Sequence, residues 1–190
     1  MKIILGIDPG SNHMGYAVLK IEGKKYYLMV AGVLSLNKYD DYYKRLENIF
    51  STVDRLISQY NPNVLAIESP FYGKNISSML KLGRAQGAAI VAALRLGVPV
   101  YEYAPKRIKQ SVTGRGGASK EQVQAMLRQM NLLGDDPVQF DASDALAVAL
   151  CHAFSQSSLM DKKKSISAKS KTKRPTWKTF ISQNSDRVNR

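Results

Sequence analysis

The chain opens on Ile3-Ile4-Leu5-Gly6-Ile7, an unbroken aliphatic run that halts at Asp8-Pro9-Gly10. So continuous a run reads as a strand buried on both faces. Asp8-Pro9-Gly10 is a turn signal, and Met14 to Lys20 returns as a second strand, making a hairpin. A buried central strand that ends on Asp8 puts a charge at the sheet edge where open α/β sheets bind ligands. Ordinary turn chemistry explains an Asp before Pro-Gly equally well. The choice depends on whether other strands deliver acids to the same edge.

A third strand follows over Tyr26 to Leu36, completing a meander. Asp40 or Asp41 then starts a helix in which Tyr43, Leu46, Ile49, Phe50, Val53, Leu56, Ile57 and Tyr60 recur every three or four residues, and Asn61-Pro62-Asn63 ends it. Val64-Leu65-Ala66-Ile67-Glu68 is a second short apolar run ending on an acid. A helix between strands implies a crossover and hence a parallel neighbour. Laid beside the first strand, it brings Glu68 to the same sheet end as Asp8. A helix over 76–96 carries Gly83, Ala85, Gly87, Ala88, Ala89, Ala92 and Ala93, small residues that suit close approach by the sheet or by a partner subunit.

Val98 to Tyr103 forms a last strand, with Pro99 fitting an edge position. Pro105 opens a short helix. Ser119-Lys120-Glu121-Gln122 resembles a capping box for a helix running to about Met130. Phe140-Asp141-Ala142-Ser143-Asp144 starts the final helix, with both aspartates on one side of its first turn. Acids there also suit the helix dipole. Beyond Ser155 the apolar period is lost. The expectation is an α/β domain over 1–156 with a mixed five-stranded sheet, followed by a basic tail over 157–190 with little fixed structure.

The net charge of +13 is unevenly spread. From Asp161 onward ten Lys/Arg face two acids, a share of +8 that leaves +5 for the rest. Between Lys74 and Arg128 ten basic residues face only Glu102 and Glu121. Polyanions such as nucleic acid are the natural partners, and Lys74, Lys81, Arg84, Lys106, Arg107, Lys109, Arg115 and Lys120 are candidates for holding phosphates. The tail alone fits a solubilising end equally well. No apolar run is long enough to cross a bilayer, no secretory signal is expected, and Cys151 has no disulfide mate. The expected location is the cytoplasm, with no membrane role.

If Asp8, Glu68, Asp141 and Asp144 converge, like charges raise one another's pKa values. Divalent cations relieve that repulsion, and hard oxygen ligands select magnesium or manganese. Two such ions can activate water and stabilise a leaving oxygen at a phosphodiester. Basic surfaces flanking an acidic pocket thus point to nucleic-acid cleavage.

The sequence resembles the RuvC family of Holliday junction resolvases, whose fold is ribonuclease H-like. The likeness rests on Ile4-Leu5-Gly6-Ile7-Asp8-Pro9-Gly10-Ser11 with Gly15-Tyr16; Ala66-Ile67-Glu68; Phe71; Lys74-Asn75; Leu80-Lys81-Leu82-Gly83; Gly87 to Ala93; Val100 to Tyr103; Lys109-Gln110; Lys120 with Gln122-Val123-Gln124; and Asp141 to Ala147. By this resemblance, Asp8, Glu68, Asp141 and Asp144 are catalytic acids binding two Mg2+, with Mn2+ able to substitute. Phe71 stacks on an unpaired base at the crossover, an interaction worth roughly 1–3 kcal/mol. Lys109 and Lys120 stand near the scissile phosphate. It further implies a homodimer contacting through the 76–96 helix, symmetric cleavage of two strands of like polarity in four-way junction DNA, and cooperation with RuvA and RuvB. Ser69-Pro70 and Tyr72-Gly73 depart from the family pattern, so the resemblance does not fix the base preference. Other readings are a ribonuclease H-like nuclease for another branched or hybrid substrate, an actin-like ATP-binding domain, and a DNA-binding module without catalysis. The ATPase reading lacks a second Gly-rich phosphate hairpin, and the non-catalytic one leaves four acids repelling DNA.

Overall fold

Five strands, β1 (Lys2–Asp8), β2 (His13–Glu22), β3 (Lys25–Ser35), β4 (Val64–Glu68) and β5 (Val100–Tyr103), form one sheet in the order β3-β2-β1-β4-β5. The first three form the antiparallel meander, while β4 runs parallel to both β1 and β5. The helices are α1 (Tyr42–Tyr60), α2 (Ile76–Arg95), α3 (Pro105–Thr113), α4 (Lys120–Gln129) and α5 (Phe140–Lys169). This computed structural model describes the backbone of residues 1–70, 75–134 and 136–169, and side chains within those ranges through residue 156. Residues 1–155 form one compact unit and 156–190 a second, of which the helical backbone up to Lys169 is described.

The sheet alternates its side chains between two cores, as the two-residue period of a strand requires. Leu5, Ile7, Val18, Leu65 and Ile67 face α1 and α2. Ile4, Ala17, Leu19, Val64 and Ala66 face α3, α4 and α5. The central strands are therefore covered on both sides, which is why β1 and β4 read as continuous apolar runs.

Local signals set the boundaries. The Asp41 carboxylate accepts the Tyr43 N–H to start α1, and left-handed Asn61 ends it. Asn63 then clamps the start of β1, accepting the Ile3 N–H on its side chain and donating its own N–H to the Ile3 carbonyl. Both halves of the Ser119/Gln122 capping box are formed at α4. The α1 period misplaces one residue: Tyr43 is 74% exposed, whereas Thr52 is buried. Periodicity identifies the inward side of a helix but not how far along it the covering partner reaches.

The small residues of α2 divide by position. Ala85, Ala89, Ala92 and Ala93 are buried against the sheet and α1. A Cβ on Gly83 or Gly87 would meet open space. These glycines, Gly83 exposed and Gly87 half-buried, fall within a stripe that carries the exposed side chains of Ile76, Leu80, Val91 and Leu94. By contrast, α5 is buried all round from Ala145 to Ala153, as expected of a helix apolar on every side. Its approach to the sheet requires glycine at two places: a Cβ on Gly6 would collide with the Ala145 carbonyl, and one on Gly15 with the Asp141 carbonyl.

Candidate active site

Strand parity brings the acids to one layer. Asp8 lies two residues beyond Gly6 and four beyond Ile4, so it projects toward α5, and Glu68 does the same after Val64 and Ala66. Ile7 pairs with Ile67 in the parallel register, so the two strands end side by side. α5 begins where β1 ends and β2 starts, because Gly15 opposite Asp8 admits its first turn. Gln124 supports that turn by donating to the Val138 carbonyl at 2.8 Å, while Arg128 holds Gln124 at 3.3 Å and the Gly134 carbonyl at 3.3 Å.

Carboxylate oxygens of Asp8, Asp141 and Asp144 lie within 4.8 Å of one another. Glu68 is outside that tight set but shares with Asp8 and Asp144 a cleft of about 120 Å³, also lined by Lys109 and Lys120. Burial, followed by repulsion from Glu68 and Asp144, pushes Asp8 well above the carboxylate range. Burial and the Asp144 charge push Glu68 up to about 7. Asp144 is also raised by burial, against the pull of Lys120. The Lys120 ammonium stands 2.6 Å from Asp144 and 3.9 Å from Asp141.

This set fits divalent metal. All its donors are hard oxygens, buried charge of one sign accumulates, and an ammonium already occupies part of the position where a cation is favoured. Asp8, Asp141 and Asp144 offer one ligand atom each to a common centre. Glu68 flanks them, beside Asp8.

The candidate DNA contacts occupy several places. Lys109 and Lys120 line the cleft. Lys81, Arg84, Lys106 and Arg115 are exposed. Arg107 turns elsewhere, donating to the Ser155 hydroxyl at 3.0 Å and lying over the Tyr103 ring. Phe71 and Lys74 lie outside the described residues.

The model of the crossover junction endodeoxyribonuclease RuvC family matches residues 4–152. The chain belongs to the RuvC family. RuvC from Cytophaga hutchinsonii is 50% identical over 187 residues, covering 98% of this chain and 88% of that protein. RuvC from Porphyromonas gingivalis is 46% identical, covering 98% and 97%. The solved structure of T. thermophilus RuvC with a Holliday junction substrate superimposes with a TM-score of 0.76 at 35% identity, covering 82% of this chain and 95% of that one. The mixed five-stranded sheet with helices on both sides is thus the ribonuclease H-like fold of RuvC proteins.

Some residues that shape this RuvC site were visible in the sequence only as letters. Gly6 and Gly15 sit inside strands, where glycine signals close backbone approach. Gln86 and Gln124 are buried polar residues on otherwise apolar helix sides, a pattern that calls for a specific partner.

Proposed function

We propose that the chain is a magnesium-dependent Holliday junction resolvase that hydrolyses phosphodiesters in two strands of like polarity at a four-way DNA junction. The convergence of Asp8, Asp141 and Asp144 within 4.8 Å, with Glu68 alongside, carries this reading. Asp8, Glu68, Asp141 and Asp144 hold two Mg2+ ions, for which Mn2+ substitutes. The ions supply Lewis acidity and an activated water at neutral pH. Lys120, with Lys109, would steady the negative charge that develops on the scissile phosphate. Lys74, Lys81, Arg84, Lys106, Arg107 and Arg115 hold flanking backbone phosphates, and Phe71 stacks on a base opened at the crossover. Arg107 would reach a phosphate by giving up its bond to the Ser155 hydroxyl and its place over the Tyr103 ring.

The enzyme acts as a homodimer. The stripe of Ile76, Leu80, Gly83, Gly87, Val91 and Leu94 on α2 supports this: its glycines admit a second helix closely, and its apolar side chains have no covering partner among the described residues. Two copies related by a twofold axis match the symmetry of a four-way junction. The nuclease domain spans 1–156, and the basic segment 157–190 adds affinity for DNA without regard to its shape. The resolvase works in the cytoplasm with RuvA and RuvB; no helix among the described residues is long and apolar enough to cross a membrane.

The test compares a synthetic four-way junction with a linear duplex of the same sequence, with and without Mg2+. Paired nicks in the junction alone, only with metal, are expected. Equal cutting of the duplex, or cutting in chelator, would overturn the reading.

A further inference from the structure

Three of the four acids cluster tightly; Glu68 alone stands apart, and its position depends on where the end of β4 is held. The element behind it is α2, on the opposite side of the sheet from α5. From α2 the Gln86 side chain, 7% exposed, reaches the sheet edge. Its amide nitrogen donates to the Glu102 carboxylate on β5 at 2.9 Å and, over a longer 3.4 Å, to the Glu68 carbonyl. The Ser69 hydroxyl donates to the same Glu102 oxygen at 3.5 Å. The two protons of one buried amide thus tie together the adjacent ends of β4 and β5, and Ser69, the next residue of the chain, joins the same carboxylate.

A leucine at position 86 would satisfy helix packing as well as glutamine does, and burying an amide costs free energy unless it is bonded. We infer that Gln86, acting with Glu102, is a positioning residue that sets where Glu68 stands relative to Asp8, Asp141 and Asp144, and so tunes the affinity of the acidic site for divalent metal. The inference rests on the proposed metal site. It adds that α2, whose exposed side carries the proposed dimer stripe, also holds one ligand-bearing strand end from behind.

The experiment measures Mn2+ binding to the DNA-free protein by the loss of the free-ion electron paramagnetic resonance signal. Gln86→Leu should weaken Mn2+ binding by about tenfold, in the range found for groups that orient metal ligands. Glu102→Leu, a change at an exposed residue, should shift it in the same direction. Glu102→Gln, which keeps an acceptor oxygen for the Gln86 amide, should leave Mn2+ binding at the parental level. In a Glu68→Gln background, Gln86→Leu should cause no further loss. Parental Mn2+ affinity in both leucine variants would overturn the inference, as would a loss that persists undiminished in the Glu68→Gln background. Should Gln86→Leu fail to fold, the Glu102→Leu and Glu102→Gln pair decides alone. If the parent binds Mn2+ and these variants behave as stated but no junction is cut, the proposed function fails while the positioning role stands.

Discussion

Asp8 carries the greatest electrostatic load, because burial and three neighbouring carboxylates, Glu68, Asp144 and Asp141, all oppose its ionisation. Asp8→Asn is therefore expected to reduce Mg2+-dependent junction cleavage by at least about 10²-fold, measured in single-turnover gel assays. Junction affinity in the same variant should hold or improve, since a charge repelling phosphate is removed. Without metal the sign for stability reverses. Glu68 has a folded pKa of about 7 against an ordinary 4.5, so the native state binds more protons in that window. Stability from this group is present below about pH 4.5 and is lost as pH rises through 7. Glu68→Gln should thus raise the metal-free thermal midpoint at pH 8, by about 2–4 °C for each kcal/mol relieved, and change it little at pH 4.5. His152 shows the opposite sense. It is fully buried, bonded to the Tyr103 hydroxyl at 2.9 Å, faced by Lys2 and Tyr101, and held down to about pKa 4 by burial and the Lys2 charge. Its neutral form supports the fold above pH 6.5, and that support declines as pH falls toward 4. His152→Leu should flatten this part of the stability profile in urea titrations.

The approach of α5 to β1 and β2 decides whether the acids meet at all. Gly15→Ala places a methyl group against the Asp141 carbonyl, and overpacking of this kind costs about 1–3 kcal/mol. The helix start must move away from Asp8, so cleavage should fall more than stability predicts; urea midpoints set beside single-turnover rates check this. Most of the element order was legible in the sequence, because β1 and β4 end on acids, Asn61-Pro62 stops α1, and Ser119 with Gln122 writes a capping box. Strand parity also placed Asp8 and Glu68 together once β1 and β4 were parallel neighbours. What the sequence withheld was contact between elements far apart along the chain. Nothing in the α1 period distinguishes Tyr43, in its exposed first turn, from the residues that pack. Nothing local to Gly6 or Gly15 names α5 as the neighbour that excludes a Cβ. Gln86 likewise shows its role only when α2 lies behind the ends of β4 and β5.

For the whole molecule, the proposed symmetric cutting of two strands requires two sites held in a fixed relation, and the α2 stripe is the surface proposed for that self-association. Leu80→Asp with Val91→Asp would force unpaired charge into the proposed contact, which is costly to desolvate, and should yield monomers in sedimentation experiments. Removal of residues 161–190, with ten basic side chains, should weaken binding to junction and duplex alike and lower the salt dependence of both; filter-binding titrations across salt concentrations measure that slope. The catalytic effects among these depend on Asp8, Asp141 and Asp144 forming a metal centre beside Glu68. Anomalous diffraction from crystals soaked in manganese tests that claim directly. A strong manganese peak in contact with Asp8, Asp141 and Asp144 is the predicted result; fully ordered carboxylates with no peak between them at saturating manganese would contradict it.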